Sequence, residues 1–471
     1  MTGSWTLIIG AALTLSACTV GPKYHRPVVQ TPTAFRGSDE SQLAGARTAS
    51  LADLPWWQVF HDPQLQKLIG TALTQNHDLQ TAIERINGAR AQVGIVRSNQ
   101  FPWMSVNPEF GGGKTAQNIK SNAFMLAADV IFQLDFFGRY RRATESARAD
   151  LLATQDAQQI VILTLVSDVA SEYFLLRDLD LQLQIANKTV RTQADSVKLT
   201  ELRLYHGVGT RLDVLQARQV LDIADARIPD LERQIWQAED VISILLGGYP
   251  EDVPRGIVIG TETASGWQWS ETLPPQLPPG LPPALLERRP DIRQAEHILM
   301  AANADIGVAK AMFFPQVSIL GSGGAAWGHS QIFGANVPTP AGIGSYAASV
   351  TQPIFEAGYL RNNLRYANSQ QRRALISYKQ VIQRAFGDVS DALIAYQKHH
   401  SVRERDEQTV KDLKESVNLS LMRYRGGTST YLDVLDSQRS LFDAEITLAQ
   451  ARNNEYQSLV QLYKALGGGW K

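Results

Sequence analysis

The side chains with the most chemistry to offer sit beside glycine-bearing turns. Asp213 follows His206-Gly207-Val208-Gly209-Thr210, and Asp433 and Asp436 follow Arg425-Gly426-Gly427-Thr428-Ser429-Thr430. A carboxylate just inside a helix start is stabilised by the helix dipole, so Asp213 and Asp433 read equally well as helix caps and as a functional acidic group. His399-His400 do not read as a metal site: neighbours on a helix point about 100° apart, and no acidic or Cys partner has ligand spacing. The pair is expected on a solvated surface. The six methionines form no soft-metal cluster, and Trp56-Trp57 suit packing or interfacial anchoring better than ligand binding. There is no G-x-S-x-G, no P-loop and no H-E-x-x-H, so an enzyme is not expected, and neither is a metal or a dissociable cofactor.

The other reactive group is a single cysteine. Thr6 to Ala17 is an apolar run of signal-peptide length that ends in Leu15-Ser16-Ala17-Cys18. That tetrapeptide resembles the lipobox of bacterial lipoproteins, which implies a covalent lipid on Cys18 as the mature N-terminus. Residues 2–10 carry no Lys or Arg, a departure from the usual basic n-region. Thr19 in place of Asp after the cysteine implies, by the same resemblance, the outer membrane. With one cysteine, no disulfide can form within the chain.

The elements that position these groups occur twice. Ser196-Val197-Lys198-Leu199 and Leu212-Asp213-Val214-Leu215 return 220 positions later as Ser416-Val417-Asn418-Leu419 and Leu432-Asp433-Val434-Leu435. Upstream the offset is 213, taking Asp78, Gly94 and Pro102 onto Asp291, Gly307 and Pro315. Such self-similarity marks a duplicated architecture. The expected organisation is a signal peptide at 1–17 and an extended leader at 18–54. Repeat one follows at 55–250, with a β-hairpin at 102–137 and a helical hairpin at 138–248. A Pro-rich linker at 251–283 leads to repeat two at 284–471, with a β-hairpin at 315–357 and a helical hairpin at 358–468.

From Arg139 to His206 there is neither Pro nor Gly, and Tyr359 to Arg425 holds only Gly387. A continuous helix of either length would span roughly 100 Å. Leu176, Leu179, Leu183, Ala186 and Val190 follow a 3-4 spacing, as do Val410, Leu413, Val417, Ser420 and Tyr424, the seam of a coiled coil. Pro229 should kink the first return helix, whereas its counterpart Ala449 should not. Before each long helix come stretches of period-two alternation. Met104, Val106 and Phe110 alternate with Ser105, Asn107 and Glu109; Ala128, Val130, Phe132 and Leu134 oppose Asp129 and Gln133. This suits strands of a membrane barrel, apolar toward lipid and polar toward a lumen, although a soluble hairpin alternates in the same way. Beyond the N-terminus no run of some 20 apolar residues stands out for a spanning helix. The formal charge of −1 and the absence of a basic run argue against nucleic acid as partner.

Four strands cannot close a barrel, and open edges cannot face lipid. Several chains must therefore share one sheet. The expected fold is an α+β membrane protein: a homotrimeric 12-stranded β-barrel, four strands per chain, continuous with a 12-helix periplasmic α-barrel.

The chain resembles the TolC-like outer-membrane factors, of the lipoprotein (NodT/OprM-type) subgroup serving resistance-nodulation-division efflux systems. Cys18-Thr19-Val20-Gly21-Pro22-Lys23-Tyr24, Pro55-Trp56-Trp57, Phe136-Phe137-Gly138-Arg139, Arg288-Arg289-Pro290-Asp291-Ile292, Tyr431-Leu432-Asp433-Val434-Leu435-Asp436 and Tyr463 to Trp470 carry the resemblance. It implies a lipid-anchored exit channel of the Gram-negative outer membrane that extends into the periplasm. Its partners would be two further copies, a periplasmic adaptor, an inner-membrane pump and membrane lipid, and it would passively conduct drugs or other small toxic solutes. It also implies that Asp433 and Asp436 line the periplasmic mouth, where threefold symmetry makes rings of carboxylates that repel unless cations bind. Leu432 would form an apolar constriction, Arg439 a pairing partner one turn on, and Tyr424 a tether through its hydroxyl. Asp213 would be the first hairpin's counterpart, but Gln216 stands where the second has Asp436. Gly207, Val208, Gly209, Thr210, Gly426, Gly427 and Thr428 are the expected adaptor contacts. The alternative is a periplasmic adaptor lipoprotein, which needs one hairpin flanked by β-rich domains.

Overall fold

The computed structural model describes residues 19–32, 35–36, 62–114, 120–256, 261–263, 266–268, 285–332, 335–337 and 341–468. Cys18, Trp56-Trp57 and the proline run at 273–283 lie outside them. The elements in order are α1 (Pro63–Gln75), α2 (His77–Ser98), β1 (Trp103–Lys114), β2 (Lys120–Leu134), α3 (Arg139–Tyr205), α4 (Arg211–Asp225), α5 (Arg227–Leu245), β3 (Thr261–Thr263), β4 (Gly266–Gln268), α6 (Leu285–Arg288), α7 (Pro290–Ala311), β5 (Gln316–Ile332), β6 (Ala335–Val337), β7 (Ala341–Thr351), α8 (Tyr359–Arg425) and α9 (Tyr431–Ala465). Two compact units emerge, one built from Met1–Val29, Glu84–Gln155 and Gln294–Gln380, the other from Gln30–Ile83, Asp156–Arg293 and Val381–Lys471.

The first unit holds an antiparallel sheet in the order β1-β2-β5-β7, with β6 pairing the far end of β5. The register turns the alternation of the sequence into two chemically distinct faces. Val106 pairs Ala128 and Met104 pairs Val130 on one face, whereas Ser105, Asp129, Ser322 and Ser345 line up across all four strands on the other. An aromatic row on the apolar face joins Phe110 to Phe124 at 4.9 Å and Phe124 to Trp327 at 5.5 Å. Cross-strand aromatic neighbours of this kind add to sheet stability beyond their buried area.

Residues 19–26 run against this unit as a strap. Val20 N–H donates to the Phe137 carbonyl at 3.1 Å, Asn303 Nδ2 donates to the Pro22 carbonyl at 3.1 Å, and the Tyr24 hydroxyl donates to Glu296 Oε1 at 3.1 Å. Gly21 has a φ of +115°, and a Cβ there would sit 2.5 Å from the Gly307 Cα, so the strap fits only because both residues are glycine.

In the second unit the long helices pack their predicted seams inward. Leu176, Leu179 and Ala186 are buried, with Leu183 packed against the same core. One window of α3 is, contrary to expectation, apolar enough to cross a membrane by length and composition. The helix instead sends Leu165, Val166, Val169, Ala170, Tyr173 and Leu176 into the protein core. The first return helix is divided: α4 ends at Asp225 and α5 begins at Arg227. Pro229 has no N–H for the Asp225 carbonyl, and its ring crowds that position. With Ala449 at the equivalent place, α9 runs unbroken for 35 residues. Gly387 does not interrupt α8, which is 67 residues long.

The duplication extends to side-chain detail at the ends of the return helices. Asn76 Nδ2 donates to the carbonyl of Leu245, and Arg289 Nη1 donates to the carbonyl of Ala465, at 3.0 and 2.9 Å. These are corresponding residues in the two repeats, and each satisfies a carbonyl that the helix end leaves open. Arg289 does more than its counterpart, since Nη2 also reaches Asp291 at 2.8 Å and Asp388 at 2.9 Å.

His400 is only partly solvated, with its side chain 28% exposed. Its Nδ1 lies 2.6 Å from Glu455 Oε1, and its Nε2 lies 3.2 Å from Glu404. Glu455 is 1% exposed and also takes Arg403 Nε at 2.5 Å. Arg403 and Arg452 then share Glu407 at 3.0 and 2.7 Å. In the first repeat Leu183 and Ile235 stand at the positions of Arg403 and Glu455 and pack in the core. The two helical hairpins therefore share a backbone plan but are joined internally by different physics.

Candidate channel mouth

All the singled-out acidic residues lie in the second unit, where α3 turns into α4 and α8 into α9. Both turns are built alike. Gly207 and Gly427 take φ of +74° and +72°, the left-handed conformation that closes a helix C-terminus. Val208 N–H reaches back to the Arg203 carbonyl at 2.9 Å, and Thr428 N–H to the Arg423 carbonyl at 2.9 Å. A Cβ on Gly207 or Gly427 would meet open space, so both turns are presented outward.

The turn aspartates begin the next helices as caps. Asp213 Oδ2 accepts from Thr210 N–H at 2.9 Å while Asp213 N–H donates to Thr210 Oγ1 at 3.2 Å, a complete capping box. Asp433 Oδ2 accepts from Thr430 N–H at 3.2 Å. Asp436 is different: exposed, with neither a hydrogen bond nor an ion pair among the described residues. Arg439 lies one turn further and is exposed too, with no ion pair among the described residues. Leu432 is 55% exposed.

Four helices converge behind these residues. Val197 of α3, Ala217 of α4, Tyr424 of α8 and Tyr431, Val434 and Leu435 of α9 form a small apolar cluster. Buried Gln193 of α3 donates to Gln438 of α9 at 3.2 Å. Within the protomer Tyr424 contributes its ring. The ring packs on Tyr431 with centroids 5.1 Å apart, and the Arg203 guanidinium stands over it at 4.6 Å. Burial pushes the Tyr424 phenol above its usual range; Arg203 works against that shift and Asp213 with it. Tyr431 is raised as well, chiefly by burial. The sequence assigns Arg203 no role beyond its match to Arg423 in the repeat. Its signal was weak because the tyrosine it meets has Leu204, not an aromatic, as its counterpart in the first repeat.

The two turns thus offer exposed glycines, an exposed carboxylate at Asp436, an exposed leucine, and a packed base that joins both hairpins of one protomer. The model of the family described as outer membrane efflux protein matches residues 68–248 and 281–468. The cation efflux system protein CusC of Escherichia coli K12 is 34% identical over 464 residues, covering 97% of this chain and 98% of its own. The toluene efflux pump outer membrane protein TtgI of Pseudomonas putida is 34% identical, covering 98% of this chain and 97% of its own. The open-state structure of the Neisseria gonorrhoeae MtrE outer membrane channel superposes with a TM-score of 0.83 at 31% identity, covering 96% of this chain and 99% of that one. Two matched helical hairpins and a four-stranded sheet per copy exclude the adaptor alternative. The chain belongs to the outer membrane efflux protein family and is one protomer of a homotrimeric exit channel whose barrel takes four strands from each copy.

Proposed function

We propose that the trimer is a passive duct for small toxic solutes, gated at the periplasmic mouth by Asp433, Asp436 and Leu432. One observation carries the reading: Asp436 is exposed and has no hydrogen bond or ion pair among the described residues, whereas the first hairpin has neutral Gln216 at the same place. Threefold repetition then gives three carboxylates close to one axis, opposed by no cation among the described residues of their own chain. Such a ring repels itself unless cations occupy it, and it meets permeating ions before they enter the duct. Leu432 adds an apolar constriction beside it. The exposed turns at Gly207, Val208, Gly209 and Thr210 and at Gly426, Gly427 and Thr428 are the docking points for a periplasmic adaptor, through which an inner-membrane pump delivers solute. No chemistry on the solute is required of this chain.

The relatives named for cations and for toluene are equally distant from this chain. That supports a duct that leaves substrate choice to its pump. A lipid on Cys18 completes the reading: Thr19 packs against Gly138, which has a φ of +79° and opens α3, so the anchored end is held beside the sheet. Planar-bilayer recording tests the mouth. Purified trimer should give low-conductance channels blocked by divalent cations, and D433A/D436A should raise conductance or weaken the block. A double variant indistinguishable from the parent removes the carboxylate ring from the account.

A further inference from the structure

The mouth is not the only place where this chain sets fixed negative charge along the conduction path. The polar face of the sheet belongs to the lumen, because its opposite face is the apolar one that lipid requires. Within residues 103–111, 124–134, 316–327 and 342–351 there is no Lys, Arg or His, and the acidic residues are Glu109 and Asp129. Both fall on the polar face. Asp129 sits at the one level where all four strands present polar side chains, between Ser105 on β1 and Ser322 on β5, with Ser345 beyond. Asn107 Nδ2 donates to Asp129 Oδ2 at 2.6 Å, which holds the carboxylate in place without neutralising it. Glu109 is exposed, with no such partner among the described residues.

We propose that Asp129, repeated three times at one level of the barrel, sets a preference for cations within the β-barrel itself, separately from the mouth carboxylates. Twelve strands spaced ~4.8 Å apart and tilted by ~40° close at a radius of about 12 Å. Carboxylates projecting inward then stand roughly 8 Å from the axis, inside the ~10 Å screening length at 0.1 M salt and well outside the ~3 Å length at 1 M. A ring of this size selects at low ionic strength and loses its hold at high ionic strength. Asn107 is a positioning residue, and the Ser ladder keeps the level polar without adding charge of either sign.

The test is the cation-to-anion permeability ratio, from reversal potentials in KCl gradients, recorded with D433N/D436N already in place. That background removes the mouth charge, so a failure of the mouth reading shows as an unaltered conductance in the background alone. Adding D129N should lower the ratio at 0.1 M at least about twofold, D129K should turn it toward anions, and both effects should vanish at 1 M. Unchanged unitary conductance at 1 M verifies an intact barrel. Should D129N fail to assemble, S322K places a cation directly opposite Asp129 in the register and should produce the same fall. A ratio near unity before D129N is added, or one that neither D129N, D129K nor S322K moves, overturns the proposal.

Discussion

The guanidinium of Arg203, on the last turn of α3, lies over the ring of Tyr424, on the last turn of α8, 4.6 Å from its centroid. This contact joins the two helical hairpins of a protomer immediately behind the turns that carry Asp213 and Asp433. A desolvated cation–π pair of this kind contributes about 1–2 kcal/mol. If it helps keep the mouth shut, removing either partner raises the open population several-fold. Y424L and R203M should therefore open more often in planar bilayers, and the double variant should open no more than the stronger single one. Y424F is the decisive control. It keeps the ring and should behave like the parent; if it opens like Y424L, the tether runs through the hydroxyl instead.

Asp433 and Asp436 should separate under substitution. Asp433 is engaged with Thr430 N–H, so D433A should lower the thermal midpoint of the trimer, with a cap loss of about 1 kcal/mol per copy, as well as alter conductance. Asp436 holds nothing among the described residues, so D436A should alter conductance and divalent block while leaving stability within about 0.5 kcal/mol of the parent. Thermal unfolding followed by circular dichroism, beside bilayer recording of the same preparations, reads both. Equal losses of stability would place Asp436 in a structural contact between copies.

Asn76 and Arg289 perform one task in the two repeats, but their loss should not be equivalent. N76A removes a hydrogen bond to the Leu245 carbonyl and the cap on Leu79 N–H, about 1–2 kcal/mol. R289A strips the partner from Asp291 and Asp388 and from the Ala465 carbonyl at once. Because Asp291 and Asp388 keep solvent while Arg289 is buried, losing this network costs about 2–3 kcal/mol. Urea midpoints at constant m-value should rank R289A below N76A. The opposite order would mean that the acidic partners find solvent without penalty.

Asp178 supplies a pH dependence with a definite sign. Burial raises its carboxyl from the ordinary range to about 6, opposed by Gln182, which donates to Oδ2 at 2.8 Å. The folded pKa lies above the unfolded one, so the folded state binds the extra proton. The penalty is absent below the unfolded value near 4, grows as pH rises to about 6, and is complete above it. Its size is of order 2–3 kcal/mol per protomer. D178N, which keeps an acceptor for Gln182, should be more stable than the parent at pH 7.5 and no different at pH 4. A stabilisation that is the same at both values would assign the effect to packing and not to titration.

Much of this protein is dictated by its one-dimensional pattern. The offset repeat, the proline-free stretches before His206 and Arg425, and the strict alternation around Val106 and Val130 specify paired long helices and two-faced strands. Helical and strand periods are local properties, and a four-stranded sheet with open edges forces association in a membrane. Pro229 alone told where α5 separates from α4, since a missing N–H acts on its own helix. Contacts between distant segments were not legible. Nothing in the types or spacing of His400, Arg403 and Glu455 announces a buried ionic cluster where the first repeat packs Leu183 against Ile235. Nor does spacing reveal that Arg203 meets Tyr424, or that Asp436 has no partner among the described residues. Such outcomes depend on which helix faces meet and on how much water remains between them. Those are settled only when the hairpins pack, because a charge is worth little in water and a great deal once the solvent has been removed.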